Sequence, residues 1–348
     1  MLVGRIPSKL FRATVSSCIA IACAGYGSAV ASDGLARVIA DAQPKMVKIH
    51  GAGGVRGLEA YQSGFLISAD GHVLTVWSYV LDTDHLSVTL DDGRKFQAEV
   101  VNADPALELA VLKIDATDVA HFELAASVPA NVGSRVLAFS NLFGVATGEE
   151  PSSVQHGVLA AKTRLDARRG TFETPYHGAV YVLDAMTNNP GAAGGALLNQ
   201  NGELLGMLGK ELRSSQNNIW LNYAIPIQEL RSTAERILEG KFERAREAPP
   251  LAASEAASLP GIGIVLVPEV LERTPPYVDR VLAGSPAAAA GVRPDDLIVF
   301  VGGTLVQSSK GLREELARTE RDAPIKLMLL RGQELVEVVL QPREAPTP

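Results

Sequence analysis

From Thr187 to Gly206 the chain reads Thr-Asn-Asn-Pro-Gly-Ala-Ala-Gly-Gly-Ala-Leu-Leu-Asn-Gln-Asn-Gly-Glu-Leu-Leu-Gly, which leaves the backbone little choice. The Asn201-Gly202 turn between two short apolar runs is hairpin chemistry. Ahead of it, Gly191, Ala192, Ala193, Gly194 and Gly195 carry almost no side-chain bulk. Backbone N–H groups there can converge on one point as an anion-binding nest or an oxyanion hole. A tight turn is the plainer use of the same residues. Between Asp41 and Ile227 most apolar segments are short, β-branched or alternating, as in 64–67, 72–76, 86–90 and 96–101, with Gly, Asp-Gly or Asn-Gly between them. Such spacing predicts a mostly-β barrel or sandwich. An internal echo, Ala69-Asp-Gly-His-Val-Leu against Gln200-Asn-Gly-Glu-Leu-Leu, fits two barrels related by duplication. From Pro226 to about Glu247 the period turns helical, with Leu230, Ala234, Ile237, Leu238 and Phe242 on one stripe.

The N-terminal segment carries Arg5, Lys9 and Arg12 and no acid, then an apolar run ending in Ala29-Val30-Ala31. That is the pattern of a secretory signal peptide over residues 1–31, so export is expected, with no membrane insertion beyond that segment. Retention as an anchor, or lipidation at Cys23, are the other uses of such a segment. Both cysteines, Cys18 and Cys23, lie inside it, leaving the remainder without a disulfide framework or a thiol nucleophile. Its removal takes three positive charges and shifts the net charge from −7 to −10, which disfavours nucleic acid as a partner. The 348 residues allow about two domains, and the Ala/Glu/Pro-rich stretch 245–258 reads as the linker between them.

The loop at 187–206 resembles the nucleophile loop of the HtrA (DegP-like) trypsin-like serine proteases, Asn-Pro-Gly-Asn-Ser-Gly-Gly-Pro-Leu. Asn189, Pro190, Gly191, Gly194, Gly195, Leu197 and Gly202 match, but Ala193 stands where the family carries its serine. A methyl group cannot attack a carbonyl. The segment from Ser63 to Val80 is similar to the family's Gly-Ser-Gly...Asp-Gly-x-Ile-Leu-Thr-Asn-x-His-Val-Val, with Ser78 at the histidine. Leu90 to Ile114 is similar to its Asp-Gly-Arg...Asp-Pro-x-x-Asp-Leu-Ala-Val-Leu-Lys-Ile, with Glu108 at the aspartate. All three triad positions are changed. His72, six residues from Ser78, is up to about 20 Å away along a strand. Losing the serine or the histidine of a worked triad costs roughly 10⁶ in turnover. What the resemblance leaves is the residual oxyanion-hole loop of Gly191, Ala192 and Ala193, with no catalytic residue expected. The six histidines are dispersed without metal-ligand spacing, and no phosphate-binding glycine motif appears, so neither metal nor cofactor is expected.

Further on, Gly284-Ser-Pro-Ala-Ala-Ala-Ala-Gly291 reads as a short helix with Ser285 as N-cap, Pro286 at the first position and Gly291 as the stop. Strands follow at 296–301, 325–330 and 335–340, with a helix after Ser308 or Ser309 that carries Leu312 and Leu316. This resembles an HtrA-type PDZ domain, motif Gly-Ser-Pro-Ala-x-x-Ala-Gly. The resemblance implies that an Ile262-Gly263-Ile264 loop binds a peptide carboxylate through backbone N–H groups, with Leu312 and Leu316 facing the groove. An ordinary sheet edge is the alternative.

The expectation is a mostly-β chain: a trypsin-like double β-barrel over 32–244, a linker over 245–258, a small α+β PDZ domain over 259–342 and a tail over 343–348. Its function would be that of an exported HtrA-like pseudoprotease, a peptide- or protein-binding scaffold or chaperone-type module of the cell envelope that takes C-termini on its PDZ domain. The rivals are a serine endopeptidase working through unorthodox residues and a non-catalytic regulatory subunit of an active HtrA relative, and the resemblance implies a homo- or hetero-trimer with HtrA-type proteins as the assembly.

Overall fold

The computed structural model describes residues 31–341 apart from 54–58, 84, 125–129, 170–171, 244–248, 269–273 and 333. The expected signal peptide and C-terminal tail therefore lie outside the described residues, save Ala31. A helix, Ala31–Ala42, leads into a first closed barrel of β1 (Met46–His50), β2 (Tyr61–Leu66), β3 (His72–Val76), β4 (Ser87–Thr89), β5 (Lys95–Asp104) and β6 (Leu109–Ile114), in the order β1-β2-β3-β6-β5-β4. A second barrel comprises β7 (Arg135–Ser140), β8 (Ser153–Arg164), β11 (Ala179–Leu183), β12 (Ala196–Asn199), β13 (Leu204–Leu208) and β15 (Tyr223–Pro226), in the order β11-β15-β13-β12-β7-β8. Interspersed in sequence among the strands of this second barrel, β9 (Ala167–Arg169), β10 (Phe172–Glu173) and β14 (Arg213–Ser214) form a small antiparallel ribbon. The protein is mostly β, with the double-barrel fold of trypsin.

Six consecutive near-apolar residues, Leu109-Ala-Val-Leu-Lys-Ile114, look wrong for a strand with one wet face. The packing explains them. Ala110, Leu112 and Ile114 enter the interior of the first barrel, while Leu109 and Val111 join a second cluster lying between the barrels. In β7, Val136 and Ala138 likewise fill the second barrel while Leu137 and Phe139 face the seam. Period-two alternation thus persists, but it sorts side chains between two cores. The seam is completed by the helix Ile227–Leu238, whose Leu230, Ala234 and Ile237 are buried in it. That helix is shorter than the expected run to Glu247, ending at Leu238 with Gly240 in the left-handed region.

The C-terminal domain pairs β16 (Ile264–Leu266) with β17 (Val278–Val281), beside a four-stranded sheet β19-β18-β20-β21 of Thr304–Leu305, Leu297–Val301, Ile325–Arg331 and Glu334–Leu340. Ser285 caps the helix Pro286–Ala289 by accepting the Ala288 N–H at 3.1 Å, and Gly291 follows with φ 81°. The buried Asp296 carboxylate takes the Arg331 guanidinium at 2.7 Å on each oxygen, closing the loop before β18 onto β20. Part of the expected linker is structured. Leu251 N–H donates to Ala317 O, Ala257 N–H to Thr319 O, and Ala257 is buried in the domain core. Its small alanines fit there because they demand little volume, the same property that made the stretch read as a spacer.

Candidate functional site: a triad-less cleft with unspent donors

The Asn189–Gly195 loop is held from several sides. Ser63 on β2 is fully buried and makes three contacts to it or its neighbour: its N–H donates to Ala193 O at 2.9 Å, its hydroxyl donates to Gly191 O at 2.6 Å, and the same oxygen accepts the Asn141 N–H at 2.7 Å. Phe143 N–H donates to Pro190 O, Ala192 N–H to Asn189 O, and Gly195 N–H to Ala192 O. Every carbonyl from Asn189 to Ala193 is therefore engaged. Among the described residues the N–H groups of Gly191 and Ala193 have no acceptor, whereas that of Gly194 is given to Leu208 O at 2.9 Å. Gly191 and Gly194 have φ near 84° and 82°, and a Cβ on either would meet a backbone carbonyl, Asn141 O at 2.1 Å or Ser63 O at 2.3 Å. Only glycine fits these two positions.

Ser78, at the histidine position, follows β3 and caps the turn Tyr79–Leu81 by accepting the Val80 N–H at 3.1 Å. Its hydroxyl donates to Gln62 Oε1. The Gln62 amide then donates to Thr75 Oγ1 at 2.7 Å and Val76 O at 3.0 Å, and Thr75 Oγ1 donates to Ser63 O at 2.7 Å. A buried hydrogen-bonded chain thus runs from Ser78 to the residue that clamps the loop. Gln62, Ser63 and Thr75 escaped the sequence reading; the only signal was polar residues inside strands otherwise apolar.

Glu108, at the aspartate position, is 1% exposed and sits in the left-handed region, with φ 54°. Its Oε1 accepts the Thr174 hydroxyl at 2.8 Å and lies 3.1 Å from Lys210 Nζ, and its Oε2 accepts the Tyr223 hydroxyl at 3.4 Å. Burial first, and the Glu108 charge second, push the Tyr223 phenol well above its ordinary range, so it stays a donor. The carboxylate that would orient an imidazole is bound instead to an ammonium, a hydroxyl and a phenol. His72 bonds Ser68 and Asp70, and His50 rests at 6.5 Å against the ring of Tyr61, which itself lies against Gly191, so neither is paired with Glu108. Among the described residues no group of three His, Cys, Asp or Glu could hold a metal ion.

The approach to the loop is also fixed. Asn222 Oδ1 accepts the N–H groups of Thr187 and Asn188 at 2.9 Å each, and Asn188 Nδ2 donates to Leu212 O and Leu221 O. Two polar atoms here are buried without a partner, Thr187 Oγ1 and Asn189 Oδ1. Phe143 and Met186 flank the loop, 57% and 66% exposed.

The expected peptide site of the C-terminal domain is arranged otherwise. Ser258 caps a helical turn, Leu259–Ile262, in which Ile262 N–H donates to Ser258 O and Gly263 N–H to Leu259 O, both at 3.0 Å. Two of the three donors expected to hold a carboxylate are thus spent within the turn, a correction to the loop reading. Ile262 and Ile264 point into the core. Leu312 and Leu316 need correction too: at 0% and 1% exposure they belong to the domain core, because 309, 312 and 316 form the inward stripe of the helix Ser309–Leu316.

Comparison with known proteins agrees with this architecture. A trypsin-like peptidase domain matches residues 62–207, and a PDZ domain matches 260–341. Proteins named probable periplasmic serine endoprotease DegP-like are similar: that of Chlamydia trachomatis is 29% identical over 295 residues, covering 82% of this chain and 54% of the relative. That of Chlamydia pneumoniae is 30% identical over 294 residues, covering 82% and 55%. The periplasmic pH-dependent serine endoprotease DegQ of Escherichia coli is 29% identical over 290 residues, covering 80% and 58%. The chain spans about half the length of these curated relatives. Among solved structures, HtrA-type protease AlgW with a tripeptide is 26% identical with a TM-score of 0.48, covering 90% of this chain and 98% of that one. With its trypsin-like peptidase domain followed by a PDZ domain, the chain is a homologue of the DegP/HtrA proteases.

Proposed function

We propose that this protein is a non-hydrolytic member of that family, exported to the periplasm or cell envelope, which binds peptides or unfolded segments as a scaffold or chaperone-type module. The observation that carries the reading is the joint state of three positions. Ala193 offers no nucleophile, Ser78 is engaged with Gln62, and Glu108 is engaged with Lys210. Nothing in that set can take a proton from an attacking oxygen and hand it to a leaving amine. The loop that would stabilise an oxyanion nevertheless keeps its donors and its rigid support. Such a cleft can hold a chain without cutting it. Export rests on the N-terminal segment and on relatives named periplasmic. Among the described residues no helix is long and apolar enough to cross a membrane.

Incubation of the purified protein with unfolded casein and with a fluorophosphonate probe tests the reading. Neither cleavage nor labelling is expected, while suppression of aggregation of an unfolded client is. Turnover that survives purification and is lost on Glu108→Gln would overturn it.

A further inference from the structure

We infer that the triad-less cleft is a receptor for the free C-terminal carboxylate of a peptide, held by the Gly191 and Ala193 N–H groups. This rests on the peptide-binding reading above and specifies which end of the peptide is held, and where.

Buried backbone N–H groups nearly always find an acceptor, yet those of buried Gly191 and half-buried Ala193 find none, in a stretch whose carbonyls from Asn189 to Ala193 are all engaged. The loop is clamped from its acceptor side by Ser63, Phe143, Ala192 and Gly195, so its free donors are positioned without the carbonyls competing for a ligand. A second, independent observation lies in the same segment. Thr187 is more than nine-tenths buried, yet its hydroxyl, which can donate to a carboxylate, is unpartnered, an arrangement that costs stability unless a bound group completes it.

The changes at the triad positions favour an anion over a scissile amide. A serine at 193 would place its hydroxyl oxygen beside the two donors, where the second oxygen of a carboxylate needs room. The alanine removes that oxygen. In a working triad the buried aspartate leaves the cleft negative beside a neutral imidazole, which repels a carboxylate. Here Lys210, 3.1 Å from Glu108, compensates the acid. A carboxylate entering this cleft meets two N–H donors and no uncompensated triad charge. The exposed Phe143 and Met186 beside the loop give the preceding residues of the ligand an apolar surface.

The alternative receptor, the PDZ turn, has spent the Ile262 and Gly263 N–H groups internally. Between two loops that look alike in sequence, the barrel loop is the one with donors to offer.

The test uses the full chain and a fluorescent decapeptide ending in valine, prepared as acid and as amide, with a benzophenone at the penultimate residue. The acid should bind at least tenfold more tightly than the amide, and its cross-links should map to 141–145 and 186–195. Ala193→Leu, which fills the space beside the donors, should bring the acid down to the affinity of the amide. Ala193→Ser, one oxygen larger, should weaken acid binding about threefold with the fold intact. Equal affinity of acid and amide, no saturable binding of the acid, or indifference to both Ala193 variants would overturn the inference. Acid preference with cross-links confined to 260–266 would also overturn it, leaving the proposed function standing. Cleavage of the peptide would instead remove the proposed function.

Discussion

Two glycine-bearing loops, 189–195 in the second barrel and 259–264 in the C-terminal domain, make opposite use of the same backbone freedom. In the first, neighbouring strands and loops bind the carbonyls and leave the Gly191 and Ala193 N–H groups unspent. In the second, a serine cap winds the chain into a helical turn that consumes its own N–H groups. What distinguishes a ligand cradle from a stop in the chain is therefore the surroundings: Ser63, brought in from β2, makes the first, and Ser258, a few residues upstream, makes the second. Long-range partners create a site, whereas local ones use up its donors.

The comparison can be broken most forcefully at Gly194. With φ 82° and Ser63 O 2.3 Å from a prospective Cβ, Gly194→Ala should destabilise the barrels by about 3 kcal/mol. Urea unfolding followed by tryptophan fluorescence checks this, since both tryptophans, Trp77 and Trp220, lie in the double-barrel domain. A tolerated alanine would mean that the loop yields and its donors are not fixed. Next in size, Lys210→Met leaves the Glu108 carboxylate buried with only the Thr174 and Tyr223 hydroxyls as partners. A loss of about 2 kcal/mol is expected, reduced from the value for a fully buried pair because Lys210 is partly exposed. In the same titration with acid and amide peptides, Lys210→Met should also narrow the preference for the acid.

The C-terminal domain has an ion pair of its own, and it gives a pH signature. Burial opposes ionisation of Asp296, but hydrogen bonds from the Arg331 guanidinium and the Arg293 N–H, with the Arg331 charge, hold its carboxyl below the usual range. The unfolded chain therefore takes up this proton at a higher pH than the folded one. Stability from the pair is complete above about pH 4 and is lost as the pH falls through the folded value. Asp296→Asn should cost about 2 kcal/mol at neutral pH and progressively less in acid, read by hydrogen exchange of β18 and β20. The smallest effect is the most discriminating. Ser258→Ala removes the cap from the 259–262 turn at a cost of about 1 kcal/mol. If the turn frays, the Ile262 and Gly263 N–H groups are released and acid-directed cross-links should begin to appear at 260–266.

Local chemistry was readable from the sequence wherever neighbours in the chain decide the outcome. Ser285, Pro286 and Gly291 bracket a helix because cap, first position and stop act within a few residues. Asn201-Gly202 turns β12 into β13 for the same reason. The strands of the barrels were legible from their length and turns, although the near-continuous run of β6 concealed that its two faces serve different cores. The clamp on the loop was not legible, since Ser63 meets Gly191 across 128 residues and nothing near either announces the other. Leu312 and Leu316 misled because one-turn spacing marks a shared face without saying which way the face looks.

The helix Ile227–Leu238 has a consequence for how the chain is made. It touches β5 and β6 of the first barrel and β13 and β15 of the second, and Asn102 Nδ2 reaches the Phe242 carbonyl just beyond it. A chain emerging N-terminus first can pair most of its strands early, yet the seam between the barrels stays uncovered until the last segment of the domain has arrived. Met46 and Ile237 then join one cluster across nearly the whole domain, a closure of high contact order that makes folding slow. Until it happens the uncovered seam is an aggregation hazard, so the growing chain is itself the kind of client that a holding chaperone protects.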